Sequence, residues 1–395
     1  VKLQFQNGFF EFMGVPGEDY PTPRALDGNA TVKNLHFDAN CEVAGYQYVG
    51  TLAGRAKGQT VIENVTSAGK VTAYSGYAGG IVAWTDAVTA KDNPDTTAVK
   101  LNRVLFSGTV MSNGNNAGGI TAYNKGVITE SVNLGSVNAY KFNGNASQFK
   151  WVGGITGNNV GNIYDCANYG PVYSAGQVTS STVAGSIGGI AGECGSTFYR
   201  GNIERCFNAG VVSSPTETAV YCGSIVGTRT NQQYVIKGVY DSQLSVYAGV
   251  ANSDEEYTEG MATSALTAGN AIAPLGDKFT MTKGYYPMPT AWAADSRVKA
   301  AAATYFTLPA GQTISTFDTE GVIATTMALT ARLAKTQGSI FSISGGKVIA
   351  GATQEIATDT LTLTNGAYSN VYPLMKVPKV LAGSGTQADP WQIAT

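Results

Sequence analysis

Aliphatic and polar residues alternate in short runs along the chain from Val32 to Val239. The aliphatic position at Val32 returns at Ile62, Leu101, Ile128, Ile163, Ile203 and Val239. Three residues further on stand Leu35, Val65, Val104, Ser131, Cys166, Cys206 and Ser242. Five of these units then close with a glycine, at Gly69, Gly108, Gly135, Gly170 and Gly210. A valine follows two places later in each, at Val71, Val110, Val137, Val172 and Val212. Such alternation turns one face of a strand inward. It predicts two short strands per unit, with turns between them and a variable loop.

A second pattern runs through the same units. The segment Val152-Gly153-Gly154-Ile155-Thr156-Gly157 recurs in recognisable form five more times. Its first glycines are Gly50, Gly79, Gly118, Gly153, Gly188 and Gly223, spaced by 29, 39, 35, 35 and 35 residues. One such unit cannot bury its own apolar face, whereas stacked neighbours share a continuous core. The fold class expected is therefore all-β, a parallel β-solenoid resembling a β-helix, of about seven coils stacked roughly 4.8 Å apart. The recurrent glycines are expected at coil corners that need positive φ.

The Gly-Gly-Ile segment is followed by Asn162-Ile163-Tyr164-Asp165-Cys166-Ala167-Asn168-Tyr169-Gly170-Pro171-Val172. Together these residues resemble the GLUG-motif repeat of large bacterial surface proteins, many from gut anaerobes. The opening Leu26-Asp27-Gly28-Asn29-Ala30-Thr31-Val32-Lys33-Asn34-Leu35 resembles the first coil of such arrays, and Gly284-Tyr285-Tyr286-Pro287 resembles their ending. The resemblance spans residues 20–290 and speaks for architecture more than for function. It implies a chain exposed at the bacterial cell surface or secreted. The repeat also accompanies peptidase domains in some proteins, but nothing here resembles their zinc-binding helix.

Beyond the array the texture changes. Residues 254–283 break the period, with a short helix expected from Thr263-Ser264-Ala265-Leu266 and Thr or Ser as its cap. This stretch is expected to plug an open solenoid end, which would otherwise be a sticky strand edge. Runs such as Gly346-Lys347-Val348-Ile349-Ala350 and Thr360-Leu361-Thr362-Leu363-Thr364 read as strands of a small Ig-like β-sandwich. The expected layout is a solenoid with its caps over 1–290, a linker or first strand over 291–303, the Ig-like module over 304–380, and over 381–395 a linker or the start of a following module. Residue 1 is Val1, and the chain reads as a piece of something longer.

Composition narrows the chemistry. Of 395 residues, 25 are Lys or Arg and 27 are Asp or Glu, so only 13% are charged and the net charge is −2. No basic run suggests a nucleic-acid partner, and no apolar run reaches the roughly 18 residues of a membrane span. The single histidine, His36, lies between Leu35 and Phe37 and reads as an ordinary strand residue. Histidine-rich zinc sites cannot be built and no C-x-x-C pair occurs, so no cofactor is expected. The five cysteines leave at least one unpaired within the chain. Cys166, Cys206 and Cys222 fall on inward columns and are expected as small apolar fillers, with a disulfide as the rival, and Asn133, Asn168 and Asn208 are expected as stacked amides that pair with one another or cap turns.

Two columns could carry chemistry. The residue before the Cys166 column reads Asn34, Asn64, Arg103, Glu130, Asp165, Arg205 and Asp241. Arg103 beside Glu130, and Arg205 between Asp165 and Asp241, suggest a structural ladder of charge pairs rather than a lyase or hydrolase site. The residue after each Gly-Gly-Ile strand reads Arg55, Trp84, Tyr123, Asn158, Glu193 and Thr228. Arg55, Trp84 and Tyr123 would adjoin on successive coils as a sugar-docking face or as self-bracing rings. The expected function is a non-catalytic adhesion or structural module, not an enzyme. Its expected partners are a carbohydrate or a host or bacterial surface protein, with self-association open. The rival readings are a polysaccharide-degrading β-helix enzyme and a self-assembling surface-layer or fibre subunit.

Overall fold

The computed structural model describes residues 25–86, 98–139, 151–174, 185–196, 201–214, 221–230, 236–251 and 257–302, apart from 27–28, 114–115, 243 and 246. Beyond them it describes 320–322, 330–351 and 357–376, apart from 336, 345–346 and 366–367. Residues 1–302 and 303–395 form two compact units.

Most of the first unit is a coil of short strands, paired in parallel with the coils before and after. Each of the first five coils holds five strands, not two; in the sixth the first two run together as Asn202–Asn208. In the fourth coil the five are Val127–Thr129, Val132–Asn133, Ser136–Ala139, Trp151–Gly153 and Thr156–Asn159. We number the five ladders in that order. Most strands have two to four residues, too few for a period to stand out in the sequence. Six full coils stack between 31 and 229, flanked by Ala25–Leu26 at one end and Ile236–Asp241 at the other.

The register follows the sequence columns. Leu101, Ile128, Ile163 and Ile203 pair in succession on ladder one, and all are fully buried. Val71, Val110, Val137, Val172 and Val212 do the same on ladder three. The seventh unit departs from the expected register. A bulge between Ile203 and Cys206 sets Ile236, not Val239, beside Ile203, and sets Val239 beside Phe207. Extra residues in one strand of a pair shift everything after them.

The glycines of the repeat are not where φ is positive. Left-handed φ values of 46–58° belong instead to Asn34, Asn64, Arg103, Glu130, Asp165 and Arg205, the charged column between ladders one and two. There each residue from Asn34 to Asp165 keeps its backbone N–H bonded to a carbonyl of the next coil, as in Arg103 to Thr129 O at 3.1 Å. Asn and Asp tolerate this conformation, and the longer side chains are forced into it by the ladders on either side. The repeat glycines answer a different demand. A Cβ at Gly153 would collide with the Thr156 carbonyl oxygen and sit 2.8 Å from Ala191 Cα. One at Gly154 would run into the Asn168 amide. Glycine therefore lets ladder four close against the interior amide stack. In that stack Asn133 Nδ2 donates to Asn168 Oδ1 at 2.7 Å and Asn168 Nδ2 to Asn208 Oδ1 at 2.8 Å.

The segment after the coils does more than close an end. Ala248 and Gly249 carbonyls accept the N–H groups of Ser224, Ile225 and Val226 on the last coil. The expected helix forms at Thr263–Leu266, but Ala262 is its N-cap and the Thr263 hydroxyl donates to Asp241 at 2.6 Å instead. The chain then runs back along the flank of the array. Tyr286 packs on Phe207, Tyr169 donates to Pro287 O, and Trp292 Nε1 donates to Glu130 O at 2.7 Å. Residues 291–302, expected as a linker, contain the end of a 3-10 turn and the helix Ser296–Ala302, whose Val298 and Ala302 are buried.

In the second unit the described strands form two three-stranded antiparallel sheets. Phe341, Val348, Ala350, Leu361 and Leu374 make a small core. The expected strands lie at Lys347–Ala350 and Ala357–Asn365. These six strands do not establish the Ig-like sandwich expected from the sequence. Residues 381–395 lie outside the described residues.

Candidate functional site

Ladders four and five meet at the Gly-Gly-Ile corner, and their outward side chains face one another across it. Ladder four contributes Tyr48, Tyr77, Asn116, Trp151, Ser186 and Tyr221, one from each coil. Ladder five contributes Arg55, Trp84, Tyr123, Asn158, Glu193 and Thr228. Between them runs a floor of small residues, Gly54, Ala83, Ala122, Gly157, Gly192 and Gly227. A Cβ at Gly157 would meet Trp151 O at 2.7 Å, so a larger floor residue could not let the walls approach.

The first three coils fill this groove with rings. Trp84 stacks on Tyr123 with centroids 4.0 Å apart and planes at 6°. Tyr48 stacks on Tyr77 at 5.2 Å on the opposite wall. The walls touch edge to face, Tyr77 to Trp84 at 5.1 Å and Tyr48 to Trp84 at 5.8 Å. Arg55 lies 5.6 Å from the Trp84 and Tyr48 centroids, and Lys125 lies 5.4 Å from Trp84 and 5.7 Å from Tyr123. Asp86 ties the group together, taking the Arg55 guanidinium and the Trp84 indole N–H, both at 2.6 Å. Burial raises the Tyr77 phenol above its ordinary range, with the neighbouring Tyr48 adding to the shift. Arg55, Trp84 and Tyr123 are thus adjacent as the sequence column requires, but half-buried rather than fully exposed.

The next coils turn polar. Asn158 and Thr230 donate to the buried carboxylate of Glu193. Thr228 Oγ1 reaches Ser186 Oγ at 3.0 Å across the walls, and Ser186 donates to Gly192 O at 2.8 Å. Arg55 Nε, Asn116 Oδ1 and Asn158 Oδ1 are buried with no hydrogen-bond partner. Sequence reasoning missed the whole of the ladder-four wall. Its signal was present: Tyr48, Tyr77, Trp151 and Tyr221 each stand two residues before the first glycine of a unit.

The charged column forms no comparable cluster. Arg103 Nε meets Glu130 Oε2 at 2.9 Å, and Arg205 Nε meets Asp165 Oδ1 at 2.5 Å. The Asp165 hydrogen bond raises the Arg205 guanidinium above its usual range. Such partly exposed pairs contribute about 0–1 kcal/mol. Asp241, placed in this column by the sequence, lies elsewhere because of the bulge. It is buried and accepts from Thr263, Tyr286 and the Leu244 N–H, tying the flank segment to the coil end. All five cysteines are free thiols; Cys166, Cys206 and Cys222 are buried as expected, and burial pushes the Cys166 thiol well up. Exposed His36 shares a hydrogen bond with Thr66 at 2.6 Å. Among the described residues no three His, Cys, Asp or Glu side chains gather as a metal site, and no helix is long and apolar enough to cross a membrane.

No protein-family model and no curated protein matches the chain. The GLUG resemblance therefore rests on the residues quoted for it. A crystal structure described as a putative immunoglobulin A1 protease from Bacteroides ovatus is similar over 68% of this chain and 78% of its own. The identity is 17% and the TM-score 0.45. That description corrects the expectation that the chain is not an enzyme, since a protein named as a protease stands among those it resembles. At this score the likeness assigns the chain no protease activity.

Proposed function

We propose that the solenoid is a binding module of a bacterial cell-surface or secreted protein, and that it docks a carbohydrate or a sugar-bearing surface partner on the ladder-four and ladder-five groove. The observation that carries this reading is the ring cluster of Tyr48, Tyr77, Trp84 and Tyr123, half-exposed on a rigid parallel sheet. Aromatic faces bury the apolar faces of a sugar without needing charge. Of the charges beside them, Arg55 is held by Asp86 and Lys125 lies over the Trp84 and Tyr123 rings. The surface localisation is supported by the GLUG-like residues, and an Ig-like module after residue 303 belongs to the same proposal.

A glycan array probed with the recombinant chain tests the reading. Binding to a defined glycan set, lost on Trp84→Ala and retained on Arg103→Ala in the charged column, is the expected result. Equal binding by both variants, or none by wild type, refutes it. Release of a smaller fragment from a bound glycan would add turnover to binding at the same groove.

A further inference from the structure

The groove does not end at the Trp84–Tyr123 stack. Tyr48 marks the first coil, Tyr77 and Trp84 the second, Tyr123 the third and Trp151 the fourth. The strip changes wall as it goes. Where ladder four has the small Asn116, ladder five supplies Tyr123; where ladder five has Asn158, ladder four supplies Trp151. Rings therefore recur at every coil step over four coils, a length of roughly 14 Å at the spacing of strands in a parallel sheet. The acceptors Asn116 Oδ1 and Asn158 Oδ1, buried and unpartnered, sit on the third and fourth coils beside Tyr123 and Trp151. A buried acceptor without a donor is costly, and a hydroxyl-bearing ligand can supply one after a small side-chain adjustment. The strip carries charges of both signs: Arg55 is paired with Asp86, Lys125 stands over the Trp84 and Tyr123 rings, and the Glu193 carboxylate, one coil beyond Asn158, opposes an acidic polymer.

From this we propose that the groove takes an extended, uncharged oligosaccharide lying parallel to the solenoid axis, with successive sugar rings on successive coils. The proposal rests on the binding reading above and adds its axis, its length and its charge. Several stacking contacts in series make affinity depend on chain length, because each added ring buries area on a surface already ordered by the coil. The fourth-coil Trp151 then contacts only ligands long enough to reach it.

The test is calorimetric titration of the full chain with neutral xylo-, manno- and cello-oligosaccharides of one to six units, and with oligogalacturonate as the acidic comparison. At least one neutral series should tighten about tenfold or more between two and four units and then level off. Trp151→Ala should erase that gain while leaving the dimer's affinity unchanged, and oligogalacturonate should bind more weakly than the neutral series. A variant melting as cooperatively as wild type confirms that the loss is local. A monosaccharide as tight as the tetramer, a tetramer indifferent to Trp151→Ala, or tighter binding of oligogalacturonate overturns the axial proposal while leaving binding at Trp84 intact. No binding in any series, together with an array unchanged by Trp84→Ala, overturns both.

Discussion

Two of the turns in the coils of this solenoid are made in opposite ways. Between ladders one and two the turning residue has left-handed φ, yet it is Asn, Arg, Glu or Asp and never glycine. Between ladders four and five the glycines have ordinary φ, and what they provide is room for neighbouring backbone and the Asn stack. Glycine in a repeat thus marks closeness here, not handedness. The left-handed corner can afford side chains because they point outward, where they pair along the stack as Arg103 does with Glu130.

The comparison is tested most severely at the crowded corner. Gly153→Ala should cost about 3 kcal/mol or more, since the new methyl would meet backbone on two sides and the packed coils cannot yield. A denaturant melt showing a loss below about 1 kcal/mol would mean the coils separate easily. The amide stack that this corner accommodates comes next. Asn168→Ala should cost about 2 kcal/mol, because it removes the buried partner of both Asn133 and Asn208. At the left-handed corner the same type of measurement should give almost nothing. Arg103→Gly gives up a partly exposed ion pair but relieves an Arg held at φ 54°, so stability should stay within about 1 kcal/mol of wild type or rise.

Acid should act on the flank that covers the left-handed corner. Asp295 accepts from Arg297 and from the Arg297 and Val298 N–H groups, and chiefly the Arg297 side-chain bond holds its carboxyl below the usual carboxylate range. A depressed folded pKa means the contribution is present above the ordinary Asp value of about 3.9 and fades as pH falls through the lower folded value. Trp292, bonded to Glu130 O one turn before, should report a small fluorescence change in that acid window. Asp295→Asn should remove the window.

Much of this was legible in the sequence wherever a residue type repeats on every coil. The aliphatic columns, the Gly-Gly-Ile register, the buried thiols, the Asn stack and the adjacency of Arg55, Trp84 and Tyr123 all follow from counting. What failed to show has physical causes. Strands of two residues leave no period, so three of five ladders were hidden. Left-handed φ is not written in a column of mixed Asn, Arg, Glu and Asp. A bulge moved Asp241 out of its column, and the flank contacts of Tyr286 and Trp292 join residues with no common period. The second wall of the groove was readable but masked by variety, because Asn116 and Ser186 interrupt its aromatics.

Trp84→Ala measured twice decides whether the ring cluster is a ligand surface or merely a brace. Trp84 is half-buried, stacked on Tyr123 and bonded to Asp86, so its loss should lower the melting midpoint by only a few degrees, with one cooperative transition. In the same sample, titration with the glycan bound by wild type should show no heat of binding. A variant that melts in this way yet binds that glycan with wild-type affinity would make the cluster a brace and not a ligand surface.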